Sequence, residues 1–188
     1  MAVLYLEDEN LIARLKENDD SAFESLLDFY GDRLLKVCYL ILKNLPCAED
    51  AVQETFIQIY KSIKRFKEDA SLYTWIYKIA VNKCRDIMKK RKEYSSFDDD
   101  FEMDSGVNIE DEIIYIDSRN KIMEIVFSLK PVYREVITLF YFEDLTIKEI
   151  CSILNEGENT VKSKLHRGRI IMKENLMKEG MVYGEGQI

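Results

Sequence analysis

Residues 146–173 read TIKEICSILNEGENTVKSKLHRGRIIMK. Thr146 stands three residues before Glu149, directly ahead of an apolar run. This is the spacing of a capping box, in which the hydroxyl and the carboxylate each accept a hydrogen bond from a backbone N–H at the start of a helix. The predicted helix ends near Leu154, and a turn containing Gly157 follows. A second, longer helix comes after the turn, and two helices joined in this way predict a helix-turn-helix.

The second helix of this motif has an apolar face and a polar face, and we expect Asn159 or Thr160 to cap it. The apolar face consists of Val161, Leu165, Met172 and Leu176. The candidate DNA contacts are Thr160, Lys162, Ser163, His166, Arg167, Arg169 and Lys173. The first side chains of a recognition helix reach base edges and later ones meet phosphates, so Arg169 and Lys173 are expected at phosphates. The alternative is an ordinary helical hairpin with a basic surface.

Upstream, apolar residues at helical spacing predict four helices between residues 23 and 92. Their expected ranges are 23–30, 34–45, 48–66 and 71–92, with breaks at Gly31 and Pro46 and a cap at Ser71. Helical periodicity returns after Ser118, and Pro131 opens another helix, where its missing N–H costs nothing. The predicted fold class is therefore all-α.

The helix over 71–92 carries a line of polar residues opposite its apolar face, namely Lys78, Asn82, Arg85, Lys89 and Lys92. Cations in a line suit a strand of phosphates, and an amide can read a base. We predict DNA contacts from Lys78, Asn82, Arg85 and Lys89. The rings of Phe66, Tyr73, Trp75 and Tyr77 stand nearby and could stack on unpaired bases, although the spacing of Trp75 favours a core position.

Charge is distributed unevenly around a net value of −8. Residues 61–92 hold eleven Lys/Arg against three Asp/Glu, whereas residues 93–117 hold ten acids and no base. Basic segments separated by an acidic one indicate two DNA-facing surfaces joined by a linker, although solvated helix faces would show similar charge runs. We predict a domain over 1–93, an acidic flexible linker over 94–117, and a helix-turn-helix domain over 118–188.

Composition excludes several other classes of protein. No apolar run approaches the roughly 18 residues that cross a bilayer, and the N-terminal residues lack the basic flank of a signal peptide, so we expect a cytoplasmic protein without membrane insertion. The four cysteines are far apart and the chain has one histidine. We therefore expect reduced thiols, no metal site and no cofactor. No glycine-rich phosphate loop or cluster of catalytic side chains indicates an enzyme.

Three ordered blocks resemble the extracytoplasmic-function sigma factors of bacterial RNA polymerase. They are DAVQETF at 50–56, YTWIYKIAVN at 73–82 and TVKSKLHR at 160–167. The resemblance implies that the first block binds the coiled coil of the largest subunit of core RNA polymerase, the second melts and reads the minus-ten element of promoter DNA, and the helix-turn-helix reads the minus-thirty-five element. It further implies that the acidic linker enters the polymerase channel toward the RNA exit path. A dedicated anti-sigma factor is also implied.

The helix that carries the first block has an exposed face on which acids and an amide surround one apolar residue. We predict that this face, Asp50, Gln53, Glu54 and Ile57, binds the polymerase. Two positions depart from the family pattern. Glu156 replaces a branched apolar residue in the turn, which we expect to weaken its packing, and Gly168 stands within the last helix at a cost of about 1 kcal/mol relative to Ala.

Two rival functions remain at this point. A transcription factor that binds DNA without polymerase would need a dimerisation surface, but the sequence has no heptad seam, so we expect a monomer. An adaptor that binds only proteins would leave both basic lines unexplained.

Overall fold

The computed structural model describes residues 8–67, 69–95 and 117–178. Within these ranges the regular structure is helical and contains no strand, which confirms the all-α prediction. The helices are α1 (Asp8–Lys16), α2 (Asp20–Leu42), α3 (Leu45–Ser62), α4 (Leu72–Ser95), α5 (Asp117–Ser128), α6 (Pro131–Tyr141), α7 (Ile147–Leu154) and α8 (Glu158–Lys178), with a 3₁₀ turn at Ile63–Arg65. They form two compact units, one built on α1–α4 and the other on α5–α8.

The predicted break at Gly31 is wrong, because α2 runs without interruption from Asp20 to Leu42. Leu26, Tyr30 and Leu34 are buried on both sides of the glycine, and this burial outweighs the cost of about 1 kcal/mol for one glycine in a helix. The carboxylate of Asp19 caps the helix by accepting from the backbone N–H of Ser21 at 2.9 Å. α1, whose Ile12 and Leu15 are buried, was not predicted.

The connection between α2 and α3 lies three residues earlier than predicted, at Lys43 and Asn44. Lys43 ends α2 in the left-handed conformation, and the Asn44 side chain caps α3 by accepting from the Cys47 N–H at 2.9 Å. Pro46 therefore lies inside the first turn of α3, where its missing N–H costs nothing, and does not stop the preceding helix. The sequence alone does not show whether Pro46 ends the helix before it or lies in the first turn of the helix after it.

Ser71 caps α4 as predicted, since its hydroxyl accepts from the Thr74 N–H at 3.1 Å. The helix continues to Ser95, so it takes in the first two residues of the segment predicted as a linker. At the other end of that segment, Asp117 already belongs to α5. Residues 96–116, which make up the rest of the predicted acidic linker, lie outside the described residues.

In the second unit, Pro131 is the first residue of α6, as predicted. Arg134 is buried and its Nη1 donates to the carbonyl oxygens of Phe127 and Leu129, at 3.2 and 3.4 Å, which joins the end of α5 to α6. Burial lowers the pKa of this guanidinium below its ordinary value. The capping box is also confirmed. The Thr146 side chain accepts a hydrogen bond from the Glu149 backbone N–H, and the Glu149 side chain accepts one from the Thr146 backbone N–H.

The start of the second helix of the motif differs from the prediction. α8 begins at Glu158, and the backbone N–H groups of Thr160 and Val161 donate to the Gly157 carbonyl at 3.0 and 3.1 Å. Neither Asn159 nor Thr160 is therefore the cap. The buried line of α8 contains Val161, Leu165 and Gly168, while Met172 and Leu176 are half-buried.

Within the described ranges, no helix is long and apolar enough to cross a membrane. Across the same ranges, no three His, Cys, Asp or Glu side chains are grouped so that they could hold a metal ion.

Candidate polymerase and nucleic-acid interfaces

The polar face of α8 presents the predicted DNA contacts to solvent. Six of them are exposed, namely Thr160, Lys162, Ser163, His166, Arg167 and Lys173. The opposite side of the helix packs against the core of its unit, since Val161 and Leu165 are buried. The structure therefore brings these six side chains together on one exposed surface of α8.

Two lysines on α8 form ion pairs with acids near the turn. Lys162 Nζ lies 2.5 Å from Glu158 Oε1, and both side chains are exposed. Lys164 Nζ donates to both carboxylate oxygens of Glu156 at 2.6 Å, and each side chain of this pair is only 20% exposed. Glu156 was expected to weaken the packing of the turn, but its ion pair with Lys164 instead connects the turn to α8.

Arg169 is the predicted DNA contact of α8 whose side chain is half-buried. Its Nε donates to the Tyr141 hydroxyl oxygen at 2.8 Å. Its guanidinium carbon lies 5.1 Å from the ring centroid of Phe140 and 5.5 Å from that of Tyr141. Contacts with α6 therefore fix the position of this side chain, a fact that sequence spacing alone could not show.

Glu158 is a residue of this surface that sequence reasoning missed. A cap at Asn159 or Thr160 would leave Glu158 outside the helix. In the structure Glu158 is the first residue of α8 and lies one turn before Lys162. The signal was present, because Gly157 is itself an acceptable residue at the cap position.

The basic line on α4 is also largely accessible. Asn82, Lys89 and Lys92 are exposed, whereas Lys78 and Arg85 are half-buried. Of the aromatic rings proposed for stacking on bases, Tyr77 and Phe66 are buried, so that prediction is wrong for these two. Tyr77 packs on Tyr73 at 4.4 Å between centroids, and Phe66 packs on Trp75 at 5.0 Å. Tyr73 and Trp75 keep part of their surface exposed.

The face of α3 assigned to polymerase is exposed at every predicted position: Asp50, Gln53, Glu54 and Ile57. Ile57 is 38% exposed, and Tyr60, one turn later, is 56% exposed. Tyr60 was not among the predicted residues, although its spacing of three from Ile57 places it on the same side of the helix. Glu54 forms an ion pair with Lys83 of α4 at 3.3 Å. The result is an exposed surface on which apolar side chains stand beside carboxylates.

The chain matches two family models, Sigma-70 region 2 over residues 26–94 and Sigma-70, region 4 over residues 119–172. It is 33% identical over 176 residues to the ECF RNA polymerase sigma factor SigW of Bacillus subtilis, which covers 88% of this chain and 94% of the relative. It is 31% identical over 177 residues to the ECF RNA polymerase sigma-E factor of Escherichia coli strain K12, covering 87% and 91% of the two chains.

Two solved structures share the fold. CnrH in complex with the cytosolic domain of CnrY superposes with a TM-score of 0.69 at 19% identity, covering 92% of this chain and 98% of that one. RpoE in complex with the anti-sigma factor NepR from Bartonella quintana gives a TM-score of 0.73 at 21% identity, covering 82% and 96%. Because both sigma-70 regions match and the relatives align over most of their lengths, the chain belongs to the extracytoplasmic-function sigma factors of RNA polymerase, which are transcription initiation factors.

Proposed function

We propose that this chain binds core RNA polymerase through α3 and directs initiation at promoters that it recognises at both the minus-ten and the minus-thirty-five element. The observation that carries the proposal is that exposed basic and polar faces occur on α4 and on α8, each backed by the core of its own unit. Because the chain belongs to the sigma factors, we propose that both faces bind promoter DNA during transcription initiation.

The functional division follows the predicted segments. Residues 1–93 bind polymerase and act on the minus-ten element, residues 94–117 link the two domains, and residues 118–188 act on the minus-thirty-five element. We place the protein in the cytoplasm, as a monomer without cofactor or enzymatic activity. Because α4 continues to Ser95 and α5 begins at Asp117, we assign the linker to residues 96–116.

Polymerase binding is assigned to Asp50, Gln53, Glu54 and Ile57. Exposed carboxylates around an apolar side chain suit a partner surface that combines basic and apolar residues, because charge complementarity orients the partners while apolar burial contributes affinity. The exposed ring of Tyr60 enlarges the apolar part of this face.

Minus-ten recognition is assigned to Asn82, with Lys78, Arg85 and Lys89 at the phosphates. An exposed amide can both donate to and accept from a base edge, whereas the lysines and the arginine serve as cations. Both neighbouring cations, Lys78 and Arg85, are half-buried, which restricts their side chains along the helix beside Asn82.

Minus-thirty-five recognition is assigned to α8. Thr160, Lys162, Ser163, His166 and Arg167 lie in its first half and are the candidates for the major groove, and Arg169 and Lys173 follow at phosphates. The terminal nitrogens of Arg169 are the atoms that would reach a phosphate, since its Nε is bonded to Tyr141.

An anti-sigma factor is a further proposed partner. Both similar structures are complexes, one of them with the anti-sigma factor NepR, but their identities of 19% and 21% support only the common fold. The proposal for this chain rests on its family. Co-expression of candidate anti-sigma factors with the chain should abolish the transcription that depends on the chain, and this experiment would test the proposal.

Run-off transcription tests the main proposal. Purified bacterial core polymerase with this chain should produce discrete transcripts from genomic fragments, and core alone should not. A protein that regulated transcription without polymerase contact would bind the same fragments equally well in the absence of core. An adaptor would produce no chain-dependent transcript at all. Either result would overturn the proposal.

A further inference from the structure

The first turn of α8 contains a carboxylate that has no place in the DNA contacts proposed above. The Glu158 side chain is 52% exposed, and its Oε1 lies 2.5 Å from Nζ of Lys162, which is 56% exposed. Residues four apart in a helix lie on the same face, one turn from each other. The beginning of α8 therefore presents a hydrogen-bond acceptor directly beside a donor.

This position is the one that recognition helices insert into the major groove. There a carboxylate has two opposite effects. Facing a phosphate it is repelled, and it also occupies a lysine that would otherwise neutralise a phosphate. Facing the base edges it accepts a hydrogen bond from the N4 amino group of cytosine, while a neighbouring lysine donates to O6 and N7 of guanine. The pair thus disfavours contact with the DNA phosphates and favours the base edges of cytosine and guanine.

Glu158 remains an acceptor at neutral pH. The hydrogen bond from the Lys162 ammonium holds the pKa of its carboxyl below the usual range. The start of a helix also favours a negative charge, and Glu158 is the first residue of α8. An ionised carboxylate has no proton to donate and therefore discriminates against base edges that present only acceptors.

The other acid at the turn differs in its surroundings. Glu156 and its partner Lys164 are each only 20% exposed, so their pair belongs to the packing between the turn and α8. The exposed pair is the one whose atoms DNA could reach.

We propose that Glu158 is a specificity-determining residue, which together with Lys162 reads a cytosine and a guanine within the minus-thirty-five element and penalises binding to other sequences. This inference rests on the proposed function, because it requires α8 to bind that element.

Selection from randomised minus-thirty-five elements tests the inference. Holoenzyme assembled from core polymerase and the full chain is used as wild type, as Glu158→Gln and as Glu174→Gln. The last is a matched control, since Glu174 is an exposed acid on the same helix, four turns farther on. Glutamine has the shape of glutamate, so unchanged far-ultraviolet circular dichroism is expected for both variants.

We expect wild type to enrich a motif that contains a cytosine. Glu158→Gln should lose this cytosine preference by about fivefold or more, since a base contact of this kind contributes that much discrimination. The same variant should bind unselected DNA more tightly. Glu174→Gln should keep the wild-type motif, and any gain in affinity should be equal for all sequences.

Two results would overturn the inference, and they differ in what else they overturn. If wild type enriches a motif and Glu158→Gln enriches the same one, Glu158 acts only through its charge and the proposed function stands. If wild type supports transcription but enriches no minus-thirty-five motif, the proposed role of α8 is wrong, and the inference fails with it.

Discussion

Gly168 of α8 lies so close to Ile137 of α6 that a Cβ atom placed on it would stand 2.9 Å from the Ile137 Cγ1 atom and 3.1 Å from its Cδ1 atom. Ile137 is fully buried and has little room to move aside. From helix propensity alone, this glycine was expected to destabilise the helix. In the structure it is the residue that allows α8 to pack closely on α6, which holds the proposed DNA-reading face in place.

Gly168→Ala should therefore destabilise the unit built on α5–α8. Alanine gains about 1 kcal/mol in helix propensity, but inserting a methyl group into a packed contact costs typically 1–3 kcal/mol, so a net loss of roughly 1 kcal/mol is expected. Urea unfolding followed by circular dichroism measures this loss. The single tryptophan, Trp75, lies in the other unit, and its fluorescence transition should not move.

Gly31→Ala is the matched control for this substitution. Gly31 lies inside α2, and a Cβ atom built on it meets nothing within 4 Å. Alanine should here stabilise the unit by up to about 1 kcal/mol and raise the urea midpoint of the Trp75 fluorescence. A similar gain for Gly168→Ala would show that the contact with Ile137 is not restrictive.

Charge reversal on α3 should abolish polymerase binding. Asp50→Arg combined with Glu54→Arg places cations where we propose that the partner carries cations, and like charges facing each other across an interface cost several kcal/mol. Both residues are exposed, and the surface ion pair of Glu54 with Lys83 contributes only about 0–1 kcal/mol, so folding should be retained. Co-purification with core polymerase measures the effect.

Asp28→Arg combined with Asp32→Arg is the control for that experiment. These two aspartates are exposed on α2, and replacing both by arginine changes the net charge by the same amount as the α3 double substitution. The control variant should still co-purify with core. Equal loss of binding in both double variants would indicate a general charge effect and contradict the assigned face.

Asn82→Ala and Lys89→Ala should have different effects at the minus-ten element. Removing the amide should reduce discrimination at one promoter position by roughly 1–3 kcal/mol, because only the amide reads a base. Removing the lysine should weaken all promoters alike and reduce the salt slope of binding by about one unit. Open-complex formation on a set of single-substitution promoters distinguishes the two. An equal loss at every promoter for Asn82→Ala would remove its base-reading role.

A similar contrast is expected along α8. Lys162→Ala or Arg167→Ala should change which minus-thirty-five sequences are preferred, whereas Lys173→Ala, at the far end of the helix, should only weaken binding. Selection of randomised minus-thirty-five elements with the three holoenzymes provides the measurement. If both of the first two variants retain the wild-type preference, their side chains contact the backbone and not the bases.

Features that depend on neighbouring residues in the chain could be predicted, and features that depend on tertiary contacts could not. The capping box of Thr146 and Glu149 and the cap at Ser71 are local, and the structure has both. The continuity of α2 through Gly31 is decided by burial on both sides of the glycine. The burial of Tyr77 depends in the same way on packing between elements.

The candidate site shows the same division. Helical spacing was sufficient to place Lys162, Ser163 and His166 on an exposed face. The bond from Arg169 to Tyr141 joins residues 28 positions apart, and no sequence periodicity relates them. Glu158 was missed because a difference of two or three residues in the start of α8 decides whether it belongs to the helix.

Mapping of transcript starts on genomic fragments is the most direct test of the central claim, that one chain brings core polymerase to promoters through two DNA elements. Core polymerase with this chain should start transcription at sites that share one sequence about 10 base pairs and another about 35 base pairs upstream. Scrambling either sequence should abolish the start. Starts that share no upstream sequence, or transcripts that appear equally with core alone, would contradict the account.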